Sequence, residues 1–302
     1  MSINEPLVSI LIPTFNSSKT IKRCIDSVTN QTYKNIEIII CDGGSKDITL
    51  DIIKNYDFIT IINCKKGVSR QRNELLSNSK GDFVFFVDSD DYIDSDLIEK
   101  LLKATKLNDC DVASPSFKIF DENKIKPINS FNGICNFSQK NIFQSLIMPS
   151  PCKLYRRTFI IGTKFDNKLK YGEDLIFNLH LSTKNGKYIS VFDTFYNYYH
   201  PTNDIFKYKT SGTTVFLKKL FKYRKNINDN EIFNIYFLFF KSKFDVYLKV
   251  LLQKHSFIHL LFLLKIRIFF AMHSKKSGFY LFPILTTIFK KLKFKIENIF
   301  DI

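Results

Sequence analysis

The stretch FVFFVDSDDYID, residues 83–94, runs five apolar residues straight into Asp88, Asp90, Asp91 and Asp94. Carboxylates held this close repel one another, and the cost normally appears as a raised pKa on one of them. A divalent cation reverses that sign. Mg2+ or Mn2+ takes carboxylate oxygens and substrate phosphate oxygens together, so the cluster suits a metal site for a diphosphate. Two other readings compete. As a calcium loop, Asp88, Asp90, Asp96 and Glu99 are correctly spaced, but Ile93 stands where glycine is required and a strand-like run precedes the loop. As plain helix capping, the cluster accounts for Asp94 and Asp91 but gives Asp88 and Asp90 no purpose. The cluster therefore divides. Asp88 and Asp90 are the candidates for chemistry, Asp91 is a loop residue and Asp94 a helix cap, so that Asp94→Asn is expected to matter little.

The elements that must position these groups alternate over residues 1–110. LVSILIP (7–13), IEIIIC (36–41), FITIIN (58–63) and FVFFV (83–87) are short, continuous apolar runs rich in β-branched and aromatic residues. Such runs fit strands buried on both faces. Between them, Ile21, Cys24, Ile25 and Val28 recur at helical spacing behind Ser17 or Ser18 as N-cap, and 46–55, 69–79 and 95–107 also suit helices, the last entered through Asp94 or Ser95. Strand–helix repetition predicts an α/β, doubly wound and mostly parallel sheet, whose ligands gather at the carboxyl ends of the strands. The residues just past three of these strands are Thr14, Phe15 and Asn16; Asp42, Gly43 and Gly44; and Asp88, Ser89 and Asp90. All are compatible with a ligand crevice, and none of the turns carries a dinucleotide or P-loop signature. Beyond them, SFKIF (116–120) and the aromatic YISVFDTFYNYYH (188–200) are strand-like, and a helix is expected at 138–147.

Charge is uneven along the chain. Residues 1–215 hold 28 Lys and Arg against 24 Asp and Glu, whereas residues 216–302 hold 17 against 5. Helices rich in Phe, Leu, Ile and Lys fit an amphipathic attachment to an anionic membrane surface, with packing against the preceding domain as the alternative. No nucleic-acid fold or base-stacking motif stands out. The apolar run 257–272 is interrupted by Lys265 and Arg267 and is shorter than the roughly 20 residues of a spanning helix. Six scattered cysteines, without metal-ligand spacing, read as small core hydrophobes of a reducing compartment. The N-terminus has no basic n-region, which predicts no signal peptide and a cytosolic protein, with the basic helices as its attachment to a membrane surface.

VSILIPTFN (8–16), CIDSVTNQTYKNIEIIICDGGSKD (24–47), GVSRQRNELL (67–76), GDFVFFVDSDD (81–91), KLYRR (153–157) and YGEDLIF (171–177) together resemble the family 2 glycosyltransferases over roughly residues 5–200. The resemblance implies the GT-A fold, with catalytic residues 1–215 (1–110 for the nucleotide-sugar, 111–215 for the acceptor) and an extension at 216–302. It implies an inverting, metal-dependent transfer from a nucleotide-diphosphate sugar, expected to be UDP-linked, to a glycan or lipid-linked glycan in O-antigen, capsule or lipooligosaccharide assembly. By resemblance, Pro13, Thr14 and Phe15 hold the base and ribose, Asp42 bonds the uracil or ribose, and Arg72 faces the base. Asp88 and Asp90 with Ser89 form the DxD, Asp90 binding Mn2+ or Mg2+ directly and Asp88 lying nearer the ribose. His200 is a further candidate for the metal or diphosphate. Lys153 and Glu173 belong to the acceptor side, and Asp174 is the general base. A related-fold nucleotidyltransferase is the enzyme alternative, though PTFNSSK lacks its Gly-rich basic turn. A catalytically dead peripheral membrane or nucleic-acid-binding protein is the non-enzyme one.

Overall fold

The computed structural model describes residues 5–120, 125–128, 134–136, 152–169 and 172–199. The helix expected at 138–147, His200 and the basic region 216–302 lie outside the described residues. In chain order the elements are β1 (Val8–Thr14), α1 (Ile21–Thr29), β2 (Ile36–Asp42), α2 (Thr49–Ile53), β3 (Ile59–Asn63), α3 (Val68–Asn78), β4 (Phe83–Phe86), β5 (Tyr92–Ile93), α4 (Leu97–Asn108) and β6 (Val112–Phe120). They continue with β7 (Ile125–Ile128), β8 (Ile134–Asn136), β9 (Leu154–Arg156), α5 (Arg157–Ile160), α6 (Glu173–Ser182) and β10 (Lys187–Tyr199).

One sheet runs in the order β3-β2-β1-β4-β9-β6-β10-β5, with β7 on β6 and β8 on β10. The four strands β3, β2, β1 and β4 are mutually parallel, and β6 with β10 is parallel as well. The antiparallel β9 joins the two groups, pairing with β4 on one side and β6 on the other. The apolar runs sit here because both faces are covered: every residue of β1 and β4 is buried. Ile21, Cys24, Ile25 and Val28 of α1 bury one helical face in the main core with Ile10, Ile12 and Phe85. The chain leaves β1 for β2 on one side and reaches β4 on the other, so the strand order reverses at β1. That is the switch point at which an open α/β sheet leaves a crevice.

Two helix starts differ from expectation, for one reason: the side chains assigned as caps are used elsewhere. Helix α1 begins at Ile21, where the Ser17 carbonyl, not a serine hydroxyl, accepts the Thr20 and Ile21 N–H groups at 3.0 and 2.9 Å. The Ser17 hydroxyl instead meets Ser89 Oγ at 2.7 Å. Helix α4 begins at Leu97 after Asp96, and Asp94 contributes only its backbone carbonyl. The Asp94 carboxylate accepts the Phe195 N–H at 3.1 Å and the Asn197 amide at 3.0 Å, tying the loop to β10. Asp94 is thus a fastener between segments 101 residues apart rather than a helix cap, and the mild effect expected of Asp94→Asn is replaced by a loss of strand anchoring.

At the opposite end of the sheet, Gly81 is pinned between strands. Its N–H donates to Ser9 Oγ at 2.8 Å and to Glu37 at 3.0 Å. A Cβ there would stand 2.6 Å from the Ser9 backbone nitrogen and hydroxyl, and backbone cannot yield as a flexible side chain can. Gly81→Ala is expected to destabilise the fold by about 1–3 kcal/mol, read as a lower denaturation midpoint in urea with an unchanged slope.

Candidate active site

A crevice of about 660 Å³ opens at the switch point, lined by Pro13, Thr14, Phe15 and Ser17 after β1, Gln71 and Arg72 of α3, Asp88, Ser89 and Asp90 after β4, and Glu173 of α6. Most of the residues singled out in the sequence meet here. Thr14 is buried, and its hydroxyl has no hydrogen-bond partner among the described residues. Phe15 is half-buried at the mouth, with the Lys66 ammonium 3.7 Å from its ring centre, so the ring is not core packing.

Arg72 organises the site. Its guanidinium is buried, donating to Asp88 Oδ1 at 2.8 Å and to Glu173 Oε1 at 2.8 Å. Burial alone would lower its pKa, but Asp88 and Glu173 outweigh it and raise the pKa above the ordinary arginine range. Two anions are thereby held at one cation, one from each side of the crevice. Helix α6 starts at Glu173 after Gly172 in the left-handed region (φ 72°), which turns the chain sharply enough to present both acids in the first turn. Asp174 accepts the Leu175 N–H at 2.7 Å. Burial first, then Glu173, pushes the Asp174 carboxyl up to about 7, against the pull of Arg72.

Within the acidic loop, Asp88 and Asp90 line the crevice and Asp91 does not. Asp91 is fully buried and accepts the Tyr196 hydroxyl at 2.6 Å and the Tyr199 N–H at 2.7 Å. The same Tyr196 oxygen accepts the Asp88 N–H at 3.1 Å. Asp91 is the loop residue expected and also the loop's buried anchor, and burial followed by Asp90 and Asp88 pushes its carboxyl well above the usual range. Asp90 projects into solvent. Dense protein beneath it and the neighbouring Asp88 raise its carboxyl to about 6, a rise that water over the crevice tempers. Arg23 holds the Asp90 carbonyl at 2.7 Å, with its guanidinium 4.8–5.7 Å from the ring centres of Tyr92, Phe120 and Tyr199.

Those features fit a hard divalent cation. Among the described residues no side chain hydrogen-bonds the Asp90 carboxylate, so its oxygens are open to a ligand, and the charge repulsion from Asp88 is what a cation would relieve. No group of three or more His, Cys, Asp or Glu at ligand geometry exists among the described residues, so phosphate oxygens and water would complete the coordination.

Three assigned residues stand apart from the crevice lining: Asp174, next to the lining residue Glu173, and Asp42 and Lys153. The Asp42 carboxylate is occupied by its own turn, accepting the Gly44 and Ser45 N–H groups at 2.9 Å each and the Ser45 hydroxyl at 2.5 Å. Lys153 is buried just before β9. Several residues escaped the sequence reading. Gln71 is buried and donates to the Thr14 and Cys41 carbonyls at 2.6 and 2.9 Å, joining the ends of β1 and β2. Its only signal was its place beside Arg72. Tyr196 stood within the noted aromatic stretch, but nothing local marked it off from Tyr198 or Tyr199. Arg23 and Lys66 sit in polar stretches without a distinguishing pattern.

A crevice at the switch point of an α/β sheet, with Asp88 and Asp90 in its lining, marks a ligand site of a doubly wound α/β protein. The family described as Glycosyl transferase family 2 matches residues 9–161, just over half of the 302-residue chain, and the chain belongs to that family. It is 27% identical to the cholesterol galactosyltransferase of Borreliella burgdorferi, over 64% of this chain and 60% of that one. It is 32% identical to the poly(ribitol-phosphate) beta-glucosyltransferase of Bacillus spizizenii, over 64% of this chain and 32% of that one. The match thus spans less than two thirds of either relative. Among solved structures, S. aureus TarS 1–349 in complex with UDP superposes with a TM-score of 0.59 at 25% identity, covering 70% of this chain and 63% of that one. The sheet is accordingly the GT-A arrangement expected from the resemblance.

Tyr196→Phe removes the hydroxyl that joins Asp91 to the Asp88 backbone and leaves a buried carboxylate short of a donor. The variant is expected to lose about 1–3 kcal/mol, measured as a fall in Tm.

Proposed function

We propose that the chain is an inverting glycosyltransferase that moves a sugar from a UDP-linked donor to a hydroxyl of a glycan or lipid-linked glycan in bacterial surface-polysaccharide assembly. The observation that carries this reading is the convergence of Asp88, Asp90 and Glu173 on one crevice, with Asp88 and Glu173 joined through the buried Arg72. Supporting it, the similar TarS structure contains UDP, and the two relatives are named as a galactosyltransferase and a glucosyltransferase.

In this reading the acceptor oxygen attacks the anomeric carbon opposite the leaving group. The new carbon–oxygen bond forms as the bond to the phosphate oxygen breaks, and the electron pair departs with the nucleoside diphosphate. Asp174 takes the hydroxyl proton. Phe15 offers a ring face to the base, and Arg72 holds the Asp88 and Glu173 sides of the crevice together. Asp90, with Asp88, would hold Mn2+ or Mg2+, which when bound supplies charge stabilisation for the leaving diphosphate. His200 remains a candidate contact for the metal or diphosphate. The basic region 216–302, with 17 cations against 5 anions, attaches the protein to the cytosolic face of an anionic membrane. No helix among the described residues is long and apolar enough to cross a membrane.

The test is a panel of nucleotide sugars with and without Mn2+, read by thermal stabilisation and nucleoside diphosphate release. A UDP-sugar is expected to stabilise the protein only with metal present, and Asp90→Asn to abolish that dependence. Failure of every nucleotide sugar to bind, by calorimetry, sinks the proposal. Asp174→Asn is expected to lower kcat by about 10²–10⁴-fold with donor binding retained. Because a base works deprotonated and the Asp174 carboxyl stands near 7, kcat should fall as pH drops through 7. A flat profile from pH 5 to 8 contradicts the assignment. Full-length protein should float with anionic liposomes at low salt, and indifference to them ends the membrane reading.

A further inference from the structure

Cys41 and Cys64 are 23 residues apart in the chain, yet their sulfurs meet at 3.1 Å, the Cys41 thiol donating to Cys64 Sγ. Both are free thiols. Strands β2 and β3 run parallel with Cys41 opposite Ile62, so Cys64, two residues further on, lies on the same face of the sheet. Cys64 is the first residue past β3, and its N–H donates to the Asp42 carbonyl at 2.9 Å. The two sulfurs differ in access. Cys41 is buried, as are Cys24, Cys110 and Cys152, whereas Cys64 is half-buried, its S–H reaching the Lys65 carbonyl at 3.4 Å. Neither residue lines the crevice. A small hydrophobe would fill either place as well, and what two sulfurs in contact add is the capacity for a covalent bond.

We propose that Cys41 and Cys64 form a redox-modification site, a dithiol that a hydroperoxide converts to a disulfide and that thereby weakens nucleotide binding in the crevice. The crosslink does not depend on the glycosyltransferase reading above; its effect on nucleotide affinity rests on it. The accessible Cys64 sulfur attacks the peroxide first. An S–O bond forms as the O–O bond breaks, the sulfur gives up two electrons, and the departing oxygen leaves with the Cys64 proton as water. The Cys41 sulfur then displaces the sulfenic hydroxyl: the S–S bond forms, the S–O bond breaks, and the Cys41 proton leaves with the hydroxyl as a second water. A dithiol reductant reverses the bond by exchange. Bonded sulfurs stand about 2.05 Å apart, so closure brings this pair nearer by about 1 Å. Cys64 is the partner that yields, because Cys41 is held inside β2 between β1 and β3. Closure draws Cys64 back along β2, and the connection to Gly67 at the start of α3 follows it. That connection carries Lys66, whose ammonium lies 3.7 Å from the Phe15 ring centre at the crevice mouth. The ring offered to the base then loses the cation that holds it.

The test treats reduced full-length protein with hydrogen peroxide, removes the peroxide, and reads peptide masses and the affinity for UDP with Mn2+ by calorimetry. Expected are a proteolytic peptide pair joined through Cys41 and Cys64, lighter by two hydrogens than its separate parts, and UDP binding weaker by about two- to fivefold. Dithiothreitol should reverse both. In Cys41→Ala the crosslink should be lost and Cys64 trapped by dimedone as a sulfenic acid, whereas Cys64→Ala should keep its UDP affinity through the treatment. Cys64 left unmodified by peroxide, or crosslinked to another cysteine, overturns the site. A Cys41–Cys64 bond with unchanged UDP affinity overturns its link to the crevice. Reduced protein that binds no nucleotide overturns the glycosyltransferase reading separately, because peptide mapping reads the crosslink without it.

Discussion

The buried Arg72 guanidinium is the constraint on which the crevice depends. A cation taken out of water is stable only if anions accompany it, and breaking such a pair leaves an uncompensated charge. Here Asp88 and Glu173 both answer it, at 2.8 Å each, from segments separated by 85 residues of chain. Neither acid could be placed by its own local structure. Asp88 follows a strand that ends two residues earlier, and Glu173 opens a helix behind a left-handed glycine. Among the described residues Arg72 Nε is buried without a partner, so they satisfy the cation only in part. A polar group buried and unanswered at the edge of a crevice is the kind of feature that ligands complete.

A second level of organisation holds the acidic loop itself. Of its four aspartates, two face outward or toward Arg72, and two are spent on β10. Asp91 and Asp94 together take four donors from Phe195, Tyr196, Asn197 and Tyr199. The cost of concentrating negative charge is offset by this stitching, and the loop gains a fixed shape. Asp90 is left open as a consequence. Its carbonyl is held by Arg23 against three aromatic rings while its carboxylate points to solvent. Positional stability and chemical availability are thus assigned to different residues of one short run.

Much of the fold and part of the site were legible in the sequence. Continuous apolar runs broken by amphipathic stretches determined four parallel strands and their crossover helices, because burial on both faces leaves no room for polar alternation. The polar strand ends then located the crevice, since loops at the switch point are where side chains can converge without disturbing the core. What local pattern could not settle was which partner each polar side chain takes. Asp94 was assigned to a helix it does not cap, and Asp91 was placed in the loop without its burial being foreseen, because their donors lie more than 100 residues away on β10. Gln71, Tyr196 and Lys153 acquire their environments only when β1, β4, β9 and α6 come together. The sequence by itself determined where charge could gather; tertiary structure decided which charges are buried, paired or left open, since desolvation and hydrogen bonding depend on neighbours that the chain brings from far away.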